Sequence, residues 1–354
     1  MSSRDRRAGA VGRRAADLLR RARFVTLPSL HDPSCWPVIG PSWLIDDVLR
    51  VEDLIRSVAG SSLHPLVAEP ALHLIKAGGK RLRPALVLLS SRAGEAGRRE
   101  TDLAAAAVEM VHLATLYHDD VIDETETRRG VPTTHEKWGI EVAVLAGDYL
   151  FACGCALGAD AGGEVPGVLA RAIARVCEGQ IIETANLNDP RRPVGHYVDT
   201  IRAKTAELFR ASCELGAATS DAARHHRTTL VRYGENLGLA FQIIDDLLDL
   251  VGDPEVTGKI PGTDLREGVF TAPVLLACER DASLVAKLEG GVRDLDELLP
   301  AVRASGGVEA ALELAGGYAE QARAALDGLP ETEWTAAMRM MIDGVLAQVE
   351  EKAA

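Results

Sequence analysis

Residues 117–123, Tyr-His-Asp-Asp-Val-Ile-Asp (YHDDVID), end a long apolar segment, and a near copy, IDDLLD at residues 244–249, ends a second one. On a helix, Asp119 and Asp123 stand four residues apart and share a face, and the copy repeats this spacing. Like charges at that spacing destabilise a helix by roughly 0.2–0.5 kcal/mol per pair, and carboxylates among apolar side chains are costly to desolvate. A chain that accepts this cost twice is predicted to place a cation there.

The two acidic groups indicate Mg²⁺ beside a phosphate. Hard oxygen ligands favour this ion, which usually binds one or two carboxylates together with substrate phosphate. The alternative, a solvated acidic helix end, is disfavoured because acidic residues at a helix C-terminus oppose the macrodipole. We expect the two groups to face each other across a cavity and to hold a diphosphate through the metal. The first Asp cluster is Asp119, Asp120 and Asp123, and the second Asp cluster is Asp245, Asp246 and Asp249.

The composition of the 354-residue chain is that of a helical protein. Hydrophobic residues make up 47%, aromatic residues only 4%, and apolar residues recur mostly three or four positions apart. No run of alternating β-branched residues is long enough to predict a sheet. These features predict an all-α fold with a substantial core.

The formal net charge of −13 argues against nucleic acid as a partner, because proteins that bind it usually present a basic surface. The six Cys residues show no paired framework, which indicates reduced thiols and a cytoplasmic location. No uncharged apolar run reaches the roughly 18 residues of a membrane span, and no signal peptide is evident.

Residues 1–41 differ from the rest of the chain, since they are rich in Arg and Pro and contain no Lys or Glu. They predict a mobile extension, followed by one helical domain over residues 42–354. An alternative is that Arg13-Arg14 and Arg20-Arg21 flank a short basic amphipathic helix that contacts a membrane surface or a partner. Residues 252–268 are rich in Gly, Pro and Asp and predict a lid.

Cations are grouped near the acidic stretches. The stretch KRLR follows two glycines at residues 80–83, and Arg128-Arg129 follows the first Asp cluster. Each group alone would be an ordinary set of surface cations. In a net-acidic chain, their grouping suggests two anions, one held through metal and one through guanidinium groups, which bind phosphate in bidentate fashion.

Three further features are each weak evidence for a binding site when taken alone. Lys204-Thr205 lies within a predicted helix, and Gln242 lies one turn before Asp245 on the same face. His112 lies two turns before Asp119, although a lone His in an apolar helix is more often a core residue whose hydrogen bonds are satisfied.

Taken together, these residues resemble the trans-type polyprenyl diphosphate synthases, which elongate isoprenyl chains head to tail. The resemblance covers roughly residues 42–350, and its motifs are highly specific. LPETEW at residues 329–334 is similar to the long-chain branch. In the family's order, the chain carries GGKRLRP at 78–84, the first Asp cluster with Arg128-Arg129-Gly130, Gly147-Asp148, Lys204-Thr205, the second Asp cluster, Gly258-Lys259, and DLREG at 264–268.

The resemblance implies an all-α orthogonal bundle of about ten or more helices around a deep central cavity, assembled as a homodimer. The substrates implied are isopentenyl diphosphate and an allylic diphosphate primer, with three Mg²⁺ ions. By resemblance, Lys80, Arg83, His112 and Arg129 would bind the diphosphate of isopentenyl diphosphate, and Arg128, Lys204, Thr205, Gln242 and Lys259 that of the primer. Asp119, Asp123 and Asp245 would ligate the metal, with Asp120, Asp246 and Asp249 in support, and Lys204 would take part in catalysis.

Product length is predicted from the residues before the first Asp cluster. Ala114 and Thr115 stand five and four residues before Asp119, and Val111 lies about one turn deeper. None is a bulky aromatic residue, so the growing tail is expected to pass them and reach six or more isoprene units. The alternative is that Ala114 merely packs against a neighbouring helix and a floor lies elsewhere.

Three rival functions have distinct requirements. A short-chain synthase would make farnesyl or geranylgeranyl diphosphate. A class I terpene cyclase would use the same ionisation but would not need a second diphosphate site around residues 80–83 and His112. A non-catalytic subunit or helical binding module would be expected to lose aspartates from the clusters, and this chain keeps all six.

Overall fold

The computed structural model describes residues 24–26, 39–252, 261–289 and 295–352. Within these ranges the chain is a bundle of helices, which confirms the all-α prediction. The helices are α1 Ser42–Ala59, α2 Pro65–Lys76, α3 Leu82–Ser91, α4 Arg99–Ile122, α5 Thr134–Trp138, α6 Ile140–Ala161, α7 Val165–Ala185, α8 Val194–Ile201, α9 Glu207–Thr219, α10 Arg224–Val251, α11 Thr263–Arg266, α12 Ala272–Arg280, α13 Ala282–Glu289, α14 Leu295–Ala304, α15 Gly307–Leu326 and α16 Glu333–Lys352.

Two long helices form the centre of the bundle and carry the Asp clusters at their ends. Helix α4 packs most extensively against α6, and α10 packs against α15 and α9. The run Ala104–Ala107 in α4 is wholly buried, and its small side chains let neighbouring helices approach closely. A Cβ added at Gly154 of α6 would lie 3.1 Å from the Ala107 carbonyl oxygen, so the two backbones are nearly in contact.

A π-helical turn, Arg202–Ala206, separates α8 from α9. A Cβ at Gly179 of α7 would lie 2.4 Å from the backbone nitrogen of Lys204, and one at Gly238 of α10 would lie 2.6 Å from the Ala206 Cα. Glycine at these two positions therefore allows α7 and α10 to approach the turn from two directions. This packing places Lys204 between the helices that hold the acidic groups.

The few strands are short and form two antiparallel pairs. β1 Phe24–Thr26 pairs with β2 Ile39–Pro41, and β3 Thr127–Arg128 pairs with β4 Val131–Pro132. The two residues between β3 and β4 are Arg129 and Gly130, with φ of 54° and 74°. Positive φ at both central residues is what a two-residue hairpin turn requires, and this turn fixes the direction of the arginine pair.

Some predictions fall on residues outside the described ranges. These are the basic helix around Arg13 and Arg20, with its membrane contact, most of the 1–41 extension, and the central part of the 252–268 lid with Lys259.

Helix α6 is the one helix in the described ranges that is long and apolar enough to cross a membrane, judged by length and composition alone. Core helices pass the same test, so the finding is weak evidence for a span. Gly147 and Gly154 hold one side of α6 against α4, where a Cβ at Gly147 would lie 2.4 Å from His118 Nε2. The helix is thus part of the bundle, with its other side exposed.

Candidate active site

The first Asp cluster lies at the carboxyl end of α4. Asp120 is 1% exposed, Asp119 is half-buried, and Asp123, the residue that ends the helix, is exposed. The backbone N–H of Asp123 donates to the Asp119 carbonyl oxygen at 2.8 Å, so the last turn keeps its helical hydrogen bond. Asp119 and Asp123 therefore share the face that the sequence predicts.

The surroundings of this cluster leave its negative charge poorly compensated. Burial raises the pKa of Asp119 to about 6, while the Lys204 cation lowers it and the charge of Asp123 raises it. Burial also raises the pKa of Asp120. Arg128 Nε donates to Asp120 Oδ1, but Asp120 Oδ2 is buried without a hydrogen-bond partner among the described residues. Arg128, predicted to bind the primer, thus pairs with the cluster in this structure.

The second Asp cluster lies near the end of α10 and is anchored by hydrogen bonds. Asp246, only 4% exposed, accepts from the Tyr197 hydroxyl at 2.5 Å and from Gln242 Nε2 at 2.7 Å. Burial raises its pKa to about 7 despite these two donors. Gln242 in turn accepts from Thr205 Oγ1 at 2.8 Å. Two residues predicted to bind the primer, Thr205 and Gln242, are therefore brought together and tied to this cluster.

The other two members of the second cluster have different positions. Asp249 is 9% exposed, accepts from the Asp264 backbone N–H at 3.2 Å through Oδ2, and accepts from the Gly262 N–H through its carbonyl oxygen at 2.7 Å. It therefore holds the start of α11 in place. Asp245, the predicted metal ligand, is exposed to solvent.

Both clusters border one cavity of about 110 Å³. Asp123 comes from the first cluster and Asp246 from the second, which is the shared void that the two sequence copies predict. Lys204 and Gln242 also line it. The remaining lining residues are Glu183, Arg192, Tyr197, Thr200, Ile201, Asp264, Glu267, Val269 and Thr271.

Lys204 is a cation held among carboxylates. Its Nζ pairs with Glu183 of α7. Burial lowers its pKa, but the charges of Glu183, Asp119 and Asp123 outweigh burial and raise it. The ammonium therefore stays charged between α7 and the first Asp cluster. A π turn at such a position is typical of functional sites.

A second group of cations gathers around His112. Burial, together with the charge of Arg129, lowers the pKa of Arg83 to about 10, although the charge of Glu109 opposes this shift. Arg83 Nε is buried without a hydrogen-bond partner among the described residues. Burial, followed by the charges of Arg83 and Arg129, keeps the pKa of His112 well below its usual range. These three predicted residues do converge, and the repulsion between the guanidinium groups of Arg83 and Arg129 beside a neutral imidazole indicates a place for an anion.

The neighbours of this cationic group have clear structural roles. Arg81, which sequence reasoning did not select, is 4% exposed and pairs with Glu52 at 2.5 Å and Glu109 at 3.0 Å. Lys80, the fourth predicted residue, donates to Gln348 Oε1 at 3.3 Å and lies 5.5 Å from the centre of the Phe241 ring. Lys80 therefore points towards α10 and α16.

The residues predicted to control product length are packed inside the bundle. Ala114 and Val111 are wholly buried, and the Thr115 hydroxyl donates to the His112 carbonyl oxygen at 2.7 Å. A Cβ added at Gly154 would lie 3.3 Å from Val111 Cγ2, so Val111 packs against α6. This contact gives Val111 a packing role, while the role of Ala114 stays a prediction.

Comparison with known proteins identifies the family. The polyprenyl synthetase family profile matches residues 64–296, about two thirds of the chain. The chain belongs to the polyprenyl synthetase family. The resemblance read from the motifs is thereby confirmed, and the chain is a prenyltransferase with an all-α fold.

Members of this family are similar over most of their length. A nonaprenyl diphosphate synthase of Mycobacterium tuberculosis is 38% identical over 304 residues, which is 84% of this chain and 90% of the relative. The crystal structure of a decaprenyl diphosphate synthase from Rhodobacter capsulatus has a TM-score of 0.82 and 37% identity, covering 87% of this chain and 97% of that one. A geranylgeranyl pyrophosphate synthase from Corynebacterium glutamicum, complexed with calcium and isoprenyl diphosphate, has a TM-score of 0.77 and 36% identity, covering 87% and 96%.

The donor set fits a hard divalent cation such as Mg²⁺. The acidic groups offer carboxylate oxygens only, and Asp120 Oδ2 lacks a hydrogen-bond partner among the described residues. In the part of the chain that the structure describes, no three His, Cys, Asp or Glu side chains are gathered closely enough to enclose an ion by themselves. Mg²⁺ usually keeps several waters and shares its coordination with substrate phosphate, so an incomplete protein shell is what this ion needs.

Among the residues of the cavity wall that sequence reasoning missed, Glu183, Arg192 and Tyr197 carry titratable groups. Tyr197 and Asp246 are 49 positions apart, and no short motif joins them. Only the Arg191-Arg192 pair gave a signal, because it repeats the arrangement of Arg128-Arg129 in a net-acidic chain.

Proposed function

We propose that this chain is a long-chain trans-polyprenyl diphosphate synthase, which joins an allylic diphosphate primer to isopentenyl diphosphate. The observation that carries the proposal is the pair of anion sites. One cavity is bordered by both Asp clusters and Lys204, and a separate cationic group is formed by Arg83, His112 and Arg129. A terpene cyclase, which binds one diphosphate, has no use for the second site.

The first chemical step is loss of diphosphate from the primer. Asp119, Asp123 and Asp245 would hold Mg²⁺, with three ions proposed, and the bound metal would supply positive charge to the departing diphosphate. Lys204, which stays protonated, adds its charge at the same cavity and stabilises the leaving group as the allylic C–O bond breaks. The hydrogen-bond chain from Thr205 through Gln242 to Asp246 fixes the wall against which the group lies.

The second step joins the two substrates. The allylic carbocation is attacked by the double bond of isopentenyl diphosphate, whose diphosphate is held by Arg83, His112 and Arg129. A proton then leaves the new chain, with the released diphosphate as its acceptor. No protein nucleophile is required, so positioning and electrostatics account for the rate. Water would quench the cation, and the buried apolar face of α4 below the first Asp cluster keeps it out.

The product is proposed to have six or more isoprene units. Solved relatives with long and with short products share the fold equally, so the fold does not set the length. Support comes from the sequence similarity to a nonaprenyl synthase and from the lack of a bulky aromatic side chain at Ala114 and Thr115. Aromatic side chains at Ala114 or Thr115 would close the proposed path of the tail.

The test is incubation with labelled isopentenyl diphosphate, Mg²⁺ and each allylic primer in turn, with products separated by chain length. We expect incorporation that stops when Mg²⁺ is chelated, and products of six or more units. Asp119→Ala and Asp245→Ala are each expected to lower turnover at least about 100-fold, since each removes charge that stabilises the transition state. A hydrocarbon formed from one long diphosphate without isopentenyl diphosphate would instead identify a cyclase, and products that stop at three or four units a short-chain synthase.

The protein is also proposed to work as a homodimer. The outer sides of α6 and α7 expose large apolar side chains, among them Leu145 at 66% and Ile181 at 69%. Large exposed apolar side chains grouped on two packed helices indicate an interaction surface. A second copy of the chain presents the same surface, so a two-fold axis would bury both.

A further inference from the structure

The cavity wall contains a buried arginine without an anion. Arg192 is 6% exposed and lines the cavity with Lys204 and Asp246. Its Nη2 donates to the His196 carbonyl oxygen at 3.1 Å and to the Thr200 hydroxyl. Its Nε is buried and has no hydrogen-bond partner among the described residues. One end of the guanidinium is therefore fixed to α8, while another N–H group is unused.

Arg81 shows how a buried arginine in this molecule can be fully paired with carboxylates. Arg81 is almost equally buried, at 4% exposed, and pairs with both Glu52 and Glu109. Arg192 forms no ion pair with any carboxylate in the part of the chain that the structure describes. A buried N–H left without a partner costs about 1–3 kcal/mol, and more on a charged group. Because Arg stays protonated in proteins, an anion that enters the cavity would compensate this charge and its unused N–H group.

The anion that fits beside Arg192 is the diphosphate of the allylic substrate, which is proposed above to bind in the same cavity. The charge of Glu183 acts on both Arg192 and Lys204, which puts two cations beside one glutamate on the same wall. The same cavity is lined by Asp123 and Asp246, the groups beside which the metal-bound diphosphate would sit. A guanidinium binds phosphate oxygens in a planar fork and is suited to a group with several oxygens.

We propose that Arg192 binds the diphosphate of the allylic substrate through the guanidinium N–H groups that are not bonded to α8, and binds the inorganic diphosphate that remains after the C–O bond breaks. The inference rests on the proposed function and deepens it, since it adds a cation to the primer site. The other reading is structural: Arg192 would only tie the segment before α8 to that helix through Nη2. If Arg192 binds diphosphate, its loss should weaken binding of the allylic substrate alone. If its role is only structural, its loss should affect the two substrates equally.

The test compares Arg192→Gln with Arg191→Gln. Arg191 is the adjacent residue, but its side chain is 69% exposed and pairs with Glu289 on the surface. Calorimetry with magnesium diphosphate, without any prenyl substrate, gives Kd, and steady-state kinetics give KM for the allylic primer and for isopentenyl diphosphate separately. We expect R192Q to raise Kd and the primer KM about tenfold or more, as loss of a charge-assisted hydrogen bond would. The KM for isopentenyl diphosphate is expected to stay within about twofold, and R191Q to match the wild type.

Arg192→Lys separates charge from geometry. It retains the cation but not the planar fork, so it is expected to recover part of the diphosphate affinity lost in R192Q. The proposal is overturned if R192Q binds magnesium diphosphate as the wild type does, or if both KM values rise equally together with a fall in Tm. If neither the wild type nor R191Q incorporates isopentenyl diphosphate, the proposed function fails, and calorimetry still decides whether Arg192 binds diphosphate.

Discussion

At the scale of single residues, the site is built from charges that the folded chain holds at a cost. Asp119 and Asp246 have pKa values raised by burial to about 6 and about 7, and Arg83 has one lowered by burial to about 10. In each case burial shifts the equilibrium towards the neutral form, because the neighbouring charges and hydrogen bonds do not fully balance it. Substrate and metal would supply the missing partners, so stability is given up in the ligand-free protein to gain binding.

Asp119→Asn is expected to stabilise the ligand-free protein at neutral pH. The pKa of Asp119 in the folded state, about 6, lies above the ordinary 3.8, so the folded state holds its proton over a range where the unfolded state has lost it. Stability is then greatest below the unfolded pKa and falls as pH rises through the folded pKa. The variant removes this loss, and we expect a gain of about 2 kcal/mol at pH 8, reduced from the full shift by partial solvent exposure.

Denaturant unfolding in the presence of a metal chelator measures this effect. The gain should be present above pH 6.5 and should disappear below about pH 4, where Asp119 of the wild type is protonated in both the folded and the unfolded state. Added Mg²⁺ should stabilise the wild type more than the variant. Equal stability of the two proteins at pH 8 would show that Asp119 is not penalised by burial.

At the scale of elements, the π turn between α8 and α9 decides where Lys204 points. The sequence analysis places Lys204-Thr205 within a predicted helix, and residues 202–206 contain no Pro or Gly that would interrupt it. The structure departs from this prediction at Arg202–Ala206. The cause lies on other helices, where Gly179 and Gly238 let α7 and α10 touch the turn. A pattern read along one segment does not reveal a constraint imposed by its neighbours.

Gly179→Ala is expected to damage both stability and turnover. The new Cβ would lie 2.4 Å from the Lys204 nitrogen and 2.8 Å from its Cα, and both are backbone atoms that do not yield easily. We expect a loss of roughly 1–3 kcal/mol from overpacking, with a fall in kcat because Lys204 is displaced. Gly167→Ala is the matched control in the same helix, since its Cβ would meet only the mobile end of Arg171 at 3.2 Å. Wild-type kcat and Tm in G179A would contradict the close contact.

The predicted chain length of the product depends on residues of helix α4. Ala114→Phe is expected to shorten the product, because the ring would fill the space below the first Asp cluster. Since Ala114 is wholly buried, overpacking is the competing outcome, and it would lower Tm without changing chain length. Chromatography of the products together with thermal unfolding separates the two. An unchanged product distribution would show that the tail does not pass Ala114.

At the scale of the whole molecule, the sequence predicts residues that are related by short helical spacings. It does not predict contacts that form only when segments distant in sequence pack together. The Asp clusters, the cations around His112 and the all-α class could be read from helical spacing and composition. Glu183, Arg192 and Tyr197 could not, because each reaches the cavity from a helix or loop distant in sequence. The exposure of Asp245 is likewise a property of how α10 lies in the bundle.

The oligomeric state of the protein also depends on how surfaces pack. If the outer faces of α6 and α7 form a two-fold interface, then Leu145→Glu and Ile181→Glu should each give monomers, because each places a charge in an apolar contact where a partner would have to desolvate it. Sedimentation of the purified proteins at equal concentration measures the change, and circular dichroism checks that the helices remain. Leu312→Glu is the matched control, since Leu312 is 41% exposed on α15, away from this surface, and its variant should remain dimeric. A wild type that sediments as a monomer, or an L145E variant that stays dimeric, would show that these faces do not pair two copies.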